Sequence, residues 1–398
     1  MKQRRKIITV FGTRPEAIKL APVIHELERR SHAFQTVNIS SGQHQHLLQP
    51  MITLFRLRID YDFTLQRHNE QTDDVSGSVI RRLIPHLNHE SPDLLLVQGD
   101  TSTAFGAAAA ASLMQIPVGH IEAGLRSGDE MRPFPEEIHR KRITELASYH
   151  FAPTVNNRSN LLSEGVPESR IFVSGNTIVD SLMKVLRGHT PSRRIDRIVA
   201  GTSMLRRIVL TMHRRENIPH FKRAFLALRR FVSENKNVCL LFPVHPNPAV
   251  RQAAEVLRGE ARIRLLEPLG YSDFIHLLLH AWVVVTDSGG IQEEAPTLGK
   301  TVLLFRSNTE RPEALATGAV QLIGDSPDAL LLALENLKMQ GHLAARRLSH
   351  TNPFGNGGSA KAIVDIVESL WEGTHEPVES ALFQTAQGTI KRISAGSV

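Results

Sequence analysis

Short apolar runs rich in Val, Ile and Leu alternate with amphipathic segments of helix length along almost the whole chain. Strands buried on both faces read this way, whereas strands with one wet face alternate apolar and polar residues. The runs in the first half are Ile7–Phe11, Asp93–Val97, Pro117–Ile121 and Ile171–Val173. Those in the second are Arg207–Thr211, Val238–Phe242, Ile263–Leu266, Trp282–Thr286, Thr301–Phe305 and Ala319–Ile323. Strand, helix and strand in succession make the βαβ unit of a parallel sheet, and two sets predict an α/β chain of two Rossmann-like, doubly wound domains. A chain of 398 residues suits two cores better than one.

The expected division is residues 1–186, a linker at 187–206, and a second domain at 207–355. The linker stretch holds Gly188, Pro191 and Gly201, is rich in Arg, and shows little apolar periodicity. Residues 329–339 read as a helix, Pro353 and the glycines after it as a break, and residues 360–371 as a final helix. The tail 373–398 has weak periodicity and is expected to be partly disordered.

Composition removes several function classes. Lys and Arg exceed Asp and Glu by 47 to 40, giving +7, but aromatic residues make up only 5%. No stacking motif or zinc finger accompanies the charge, so no nucleic-acid partner is expected. An anionic small molecule suits it equally. The single cysteine, Cys239, lies in an apolar run and reads as a buried structural thiol. No apolar run reaches the roughly 20 residues needed to span a bilayer, and the Ile7–Phe11 run is too short for a signal peptide core. The expectation is a soluble, cytoplasmic protein without a membrane partner.

In open α/β sheets ligands bind beyond the carboxyl ends of the strands. Residues following Ile7–Phe11 are Gly12-Thr13-Arg14-Pro15-Glu16, a tight turn into a helix whose free amides attract anions, with Arg14 as a planar donor. By itself this turn reads equally as a phosphate cradle and as an ordinary strand-to-helix connection, for it is neither a Walker A loop nor GxGxxG. Trp282–Thr286 runs into Asp287-Ser288-Gly289-Gly290 and a helix carrying Glu294. Adjacent glycines there allow amides to approach a diphosphate, and Glu294 suits a ribose diol. The bland alternative is a Ser-Gly-Gly turn with solvated glutamates.

Asp100 and Glu122 each follow a buried strand. Neighbouring strand ends would bring these carboxylates together and raise the pKa of at least one toward acid/base use. Glu136 and Glu137 open a helix, where capping is the simpler role for Glu137. His213, followed by Arg214 and Arg215, suits a phosphate-facing proton donor or cation. His245 ends another strand, and Arg311 follows a further one. His44 with His46, and His86 with His89, lack a third ligand at metal-binding spacing, so no metal is expected.

Taken together these segments closely resemble the non-hydrolysing UDP-N-acetylglucosamine 2-epimerases. The stretches that carry the resemblance are FGTRPEAIKLAP (11–22), GDTSTAFG (99–106), PVGHIEAGLRSGD (117–129), RPFPEE (132–137) and HFAPT (150–154). In the second half they are SGNTIVD (174–180), HRREN (213–217), PVHPNP (243–248), TDSGGIQEEAPTLGK (286–300) and TERPE (309–313).

The resemblance implies the GT-B fold, with an interdomain cleft and the last helix returned to the first domain. It also implies a homodimer and a cytoplasmic isomerase supplying polysaccharide biosynthesis. The implied reaction is reversible C2 epimerisation of UDP-N-acetylglucosamine to UDP-N-acetylmannosamine through a 2-acetamidoglucal, with neither cofactor nor metal. Asp100, Glu122 and Glu136 match the acid/base carboxylates, their faces unassigned, and His213 the group that stabilises departing UDP. Arg14, Ser288, Gly289 and Gly290 match phosphate contacts and Glu294 a ribose contact, with Lys19, His245 and Arg311 as further substrate-binding candidates.

This sequence departs from the family pattern at Gln98, where His is common, and at Arg132-Pro133-Phe134, where Ser-Pro-Trp/Phe is usual. Gln43 and His46 fall in a stretch that often contributes to a second, regulatory UDP-sugar site, with His46 replacing a glutamine. Competing readings are an epimerase or hydrolysing epimerase for a modified UDP-HexNAc, a GT-B glycosyltransferase, and a sugar-nucleotide sensor without turnover.

Overall fold

In a computed structural model, residues 4–65, 75–131, 133–340 and 352–371 are described. The tail 373–398 and Arg132 therefore lie outside the described residues. Contacts divide the described chain into two compact units, one running to Ser181 and resuming at Phe354, the other Leu182–Pro353.

The first unit is built on seven strands: β1 (Arg5–Phe11), β2 (Phe34–Ser40), β3 (Tyr61–Asp62), β4 (Leu94–Gln98), β5 (Val118–Ile121), β6 (Tyr149–Ala152) and β7 (Ile171–Val173). Their order is β3-β2-β1-β4-β5-β6-β7, every pair parallel. Helices α1 (Arg14–Arg29), α2 (Gln45–Phe55), α3 (Val75–Glu90), α4 (Ser102–Leu113), α5 (Glu136–Leu146) and α6 (Val155–Ser163) make the crossovers. Helix α7 (Thr177–Gly188) leads into the second unit. There α8 (Arg193–Ala200) precedes β8 (Arg206–Thr211), α9 (Ile218–Glu234), β9 (Val238–Pro243), α10 (Pro248–Ala254), β10 (Ile263–Leu266) and α11 (Tyr271–Leu279). Then come β11 (Val283–Thr286), α12 (Ile291–Thr297), β12 (Thr301–Leu304), α13 (Pro312–Ala316), β13 (Val320–Leu322) and α14 (Pro327–Gln340). The second sheet runs β10-β9-β8-β11-β12-β13, again wholly parallel. Helix α15 (Ser359–Ser369) belongs to the first unit, where the backbone N–H groups of Ser359 and Ala360 donate to Asp180 and Arg30 reaches Asp365 and Glu368.

Burial explains why these runs became parallel strands. Ile7, Ile8, Val10, Leu94–Val97, Ile208–Leu210, Val238–Phe242 and Val283–Val285 are all buried, because helices cover both faces of each sheet. The second core is aromatic, with Phe221, Phe225, Phe231 and Phe242 packed together. The first is built from Ile8, Val10, Ile39, Leu95, Val97 and the small face of α4, Ala104, Ala107, Ala108 and Ala111.

Residues 187–206, expected as a linker, include helix α8, which buries Ile195 and Ile198 and begins at a Ser192 cap. Its apolar pair at three-residue spacing is hidden among arginines in the sequence. No helix of the described residues is long and apolar enough to cross a membrane.

Each sheet reverses its winding once. The chain moves outward from β1 through β2 to β3, then returns to the other side of β1 with β4, so the first switch point lies between β1 and β4. In the second sheet the corresponding point lies between β8 and β11. The connections leaving those strands diverge to opposite faces and leave a crevice at the carboxyl ends, the place where such sheets bind ligands.

Candidate active site

At the first switch point β1 turns through Gly12 into α1. A Cβ on Gly12 would stand 1.9 Å from Ser41 Oγ and 2.6 Å from Thr103 Oγ1, so the turn needs glycine for close packing. Arg14 is exposed, and its side chain has no hydrogen-bond partner among the described residues. Lys19, on the next turn of α1, is buried, and its Nζ donates to Glu122 Oε1 at 2.5 Å. Gln43 lies beside this turn, accepting from Thr103 Oγ1 at 2.8 Å, while His46 is exposed on the first turn of α2.

β4 and β5 are neighbours, and they deliver Asp100 and Glu122 to adjacent connections. The expected repulsion between two carboxylates is not what the structure builds: each has its own cation. Asp100 Oδ2 accepts from Arg140 Nε at 2.9 Å and lies 2.6 Å from the other guanidinium arm, while Glu122 is held by Lys19. Gln98, the departure noted in the sequence, donates its side-chain amide to Glu122 Oε2 and so is a working partner of that carboxylate. Glu122 has φ of +68°, in the left-handed region that a glutamate adopts only when its surroundings enforce it.

Helix α5 holds the Asp100 connection from the other side. His139 Nδ1 lies 2.9 Å from the Asp100 carbonyl, and the His139 ring stacks on Phe105. Arg140 also pairs with Glu137 at 2.5 Å, and Glu137 accepts the Ser127 amide at 3.1 Å. Glu137 is therefore a buried ion-pair partner as well as an acid in the first turn of α5. Glu136 differs: its Oε2 is buried with no hydrogen-bond partner among the described residues. Below this layer, His120 Nε2 meets the Gly99 carbonyl at 2.8 Å. Burial pushes His120 down to about 3, so the ring is neutral and this nitrogen carries its proton.

At the second switch point Asp287, wholly buried, accepts from the backbone N–H groups of His213 (3.1 Å) and Arg214 (2.9 Å) and from Asn217 Nδ2 (3.3 Å). This ties the His213 connection to the Ser288-Gly289-Gly290 turn. His213 remains partly exposed, and its ring stacks on exposed His245 with centroids 5.2 Å apart. A Cβ on Gly289 would meet Arg311 at 3.0 Å and Glu310 at 3.1 Å, whereas one on Gly290 would meet nothing within 4 Å. Arg311 is buried, bridging Glu293 and Glu310 at 2.6 Å each, and Arg306 pairs with Glu310 at 3.0 Å. Glu294 accepts the Tyr271 hydroxyl at 3.0 Å. Of the other histidines, His86 stacks on Phe63 and packs at a tilt against Tyr61.

Residues to which the sequence assigned no role are Glu16, Gln98 as a partner, His120, His139, Arg140, Asp287 and Tyr271. Asp287 was the most accessible, since an acid after a buried Val run just before Ser-Gly-Gly stands where backbone amides converge. Arg140, by contrast, reaches Asp100 across 40 residues of sequence, and nothing local announces it.

A family model described as "UDP-N-acetylglucosamine 2-epimerase" matches residues 25–368. UDP-N-acetylglucosamine 2-epimerase of Salmonella typhimurium is 41% identical over 372 residues, spanning 92% of this chain and 98% of that protein. The crystal structure of UDP-GlcNAc 2-epimerase from Neisseria meningitidis bound to UDP-GlcNAc superposes with a TM-score of 0.84 at 37% identity, covering 91% of this chain and 99% of the other. The glycotransferase of kitacinnamycin, at 14% identity and a TM-score of 0.60 over 93% of this chain and 99% of its own, shares the fold alone.

Proposed function

The chain belongs to the UDP-N-acetylglucosamine 2-epimerase family, and from that premise we propose that it interconverts UDP-N-acetylglucosamine and UDP-N-acetylmannosamine. A carboxylate of the first unit removes the C2 proton while the bond from C1 to the diphosphate oxygen breaks. The products within the site are UDP and 2-acetamidoglucal. A second carboxylate returns a proton to C2 from the opposite face, and the diphosphate oxygen adds back to C1. Every bond broken is remade, so the net reaction is an isomerisation.

The observation that carries this reading is the set Asp100, Glu122 and Glu136 at the carboxyl ends of β4 and β5 and the start of α5. Two are held by cations and hydrogen bonds, as a group that must keep its aim requires. The third has a buried oxygen with no partner among the described residues. Such an oxygen costs stability unless a ligand or a proton supplies what the fold does not. On the second unit, His213 and the Ser288–Gly290 turn retain UDP, with Glu294 on the ribose. Asp287 fixes the backbone of the His213 connection. Diphosphate retention matters because the leaving group is also the returning nucleophile.

Proton NMR in deuterium oxide with UDP-N-acetylglucosamine tests the reading. Deuterium at C2 and the appearance of UDP-N-acetylmannosamine are expected, and Asp100→Asn and Glu122→Gln each remove the exchange. A C2 proton that survives prolonged incubation with the wild-type protein sinks the proposal. Release of free N-acetylmannosamine with UDP identifies the hydrolysing reaction instead.

A further inference from the structure

Glu16 has no part in the chemistry above, yet it is wholly buried. Its Oε2 accepts from the Gly12 amide at 3.0 Å and the Thr13 amide at 2.8 Å. Its Oε1 accepts from Thr101 Oγ1 at 2.6 Å. The amides belong to the turn leaving β1, and Thr101 directly follows Asp100 in the turn leaving β4. Since β1 and β4 are hydrogen-bonded neighbours, one carboxylate spans the switch point of the first sheet. Three residues further along α1, on the same helix face, Lys19 reaches Glu122 beyond β5.

A helix cap alone does not account for this arrangement. A glutamate at the third position of a helix reaches back to the amide of the capping residue, and Glu16 does so at Thr13. The cap has no use for the other oxygen, which is bonded to a residue 85 positions away. Burial pushes the Glu16 carboxyl up to about 7, and the bonds from Thr101, Gly12 and Thr13 pull the other way. Keeping such a group costs stability, which a plain strand-to-helix turn has no reason to bear.

We propose that Glu16 is a positioning residue for the epimerisation, a strut that fixes the Asp100 connection against the Gly12–Arg14 turn. The proposal rests on the acid/base reading of Asp100, because only then does the placement of that connection limit turnover. Glu16 touches no substrate. It acts through Thr101 on the aim of the neighbouring carboxylate.

The test uses the full chain and three substitutions. Glu16→Ala removes both ends of the strut. Glu16→Gln keeps a carbonyl for the two amides and an amide able to donate to Thr101 Oγ. Glu16→Asp keeps the charge but draws the carboxylate back by about 1.5 Å, too short to span from the Gly12 and Thr13 amides to Thr101, and serves if the alanine variant does not fold. A misplacement near 1 Å can cost roughly 10²-fold in rate. The expected result for Ala and Asp is therefore a kcat for C2 proton exchange lowered about 10²-fold, with KM for UDP-N-acetylglucosamine changed less than about threefold. Glu16→Gln should stay within about tenfold of wild type. Backbone amide hydrogen exchange should accelerate at residues 99–104 in the Ala and Asp variants and remain unchanged in the second unit.

Wild-type kcat in the Asp variant, or unaltered exchange at residues 99–104, overturns the proposal. Absence of C2 exchange in the wild type refutes the functional reading instead. The amide exchange still decides whether the strut exists.

Discussion

Replacing His120 with glutamine tests the claim that a neutral imidazole is locked beneath the Gly99 connection. His120 and His150 face each other in register on β5 and β6, each about 1% exposed. Burial pushes His120 down to about 3 and His150 to about 4, against about 6.5 in an unfolded chain. A group whose folded pKa is lowered contributes fully above the unfolded value and loses that contribution as pH falls toward the folded one. Between pH 7 and pH 5 the unfolded imidazole takes up about three-quarters of a proton and the folded ring almost none. The loss is about 2 kcal/mol per histidine.

The wild-type profile conceals this loss, because burial pushes Glu16 up to about 7 and Asp180 up to about 6. Those two carboxyls gain stability over the same interval. The His120→Gln variant isolates one proton. Whatever it costs at pH 7 through the bond to Gly99, it should recover about 2 kcal/mol relative to wild type at pH 5. The chain has two tryptophans, and Trp371, with the Arg5 guanidinium 5.2 Å from its ring, reports on the first unit once Trp282 is changed to Phe. In melts followed by its fluorescence, the recovery amounts to about 4–8 °C for a unit near 200 residues. An offset between variant and wild type that is the same at both pH values refutes the buried neutral imidazole.

Further substitutions probe other parts of the account. Gly12→Ala forces a methyl to within 1.9 Å of Ser41 Oγ, so a loss of about 1–3 kcal/mol in the first unit is expected, with weaker binding of the UDP-sugar by calorimetry. Wild-type melting and affinity in that variant would mean that the turn yields freely. Glu293→Gln leaves buried Arg311 with one carboxylate fewer, for an expected loss of about 3 kcal/mol, or somewhat less because Glu310 remains. Trp282 fluorescence in a Trp371→Phe background reads that change, and an unaltered second unit would show the pair to be dispensable.

The sheets were legible where burial made the sequence apolar. All ten runs singled out became strands, with ends displaced by at most two residues. The strands that escaped notice carry polar residues inside the protein. β2 buries Thr36, Asn38 and Ser40, and Asn38 accepts a hydrogen bond from Thr9 on β1, a pairing visible only after folding. β6 hides His150 within it, and β3 is two residues long. The positions of Asp100, Glu122, His213 and Ser288 at strand ends followed from the alternation alone. Their partners did not, because Lys19, His139 and Arg140 meet them only through the winding of the sheet. The expected closeness of two carboxylates missed those cations for the same reason.

In the proposed reaction UDP leaves and returns during turnover, and positional isotope exchange is the direct test. UDP-N-acetylglucosamine carrying ¹⁸O in the oxygen that bridges C1 and the β-phosphorus is incubated with the wild-type protein and followed by phosphorus NMR. Departure of UDP frees that phosphate to rotate, so the label is expected to spread into the non-bridging β oxygens alongside C2 deuterium exchange. Epimerisation with the label still wholly in the bridge would contradict the departure of UDP as a group free to turn.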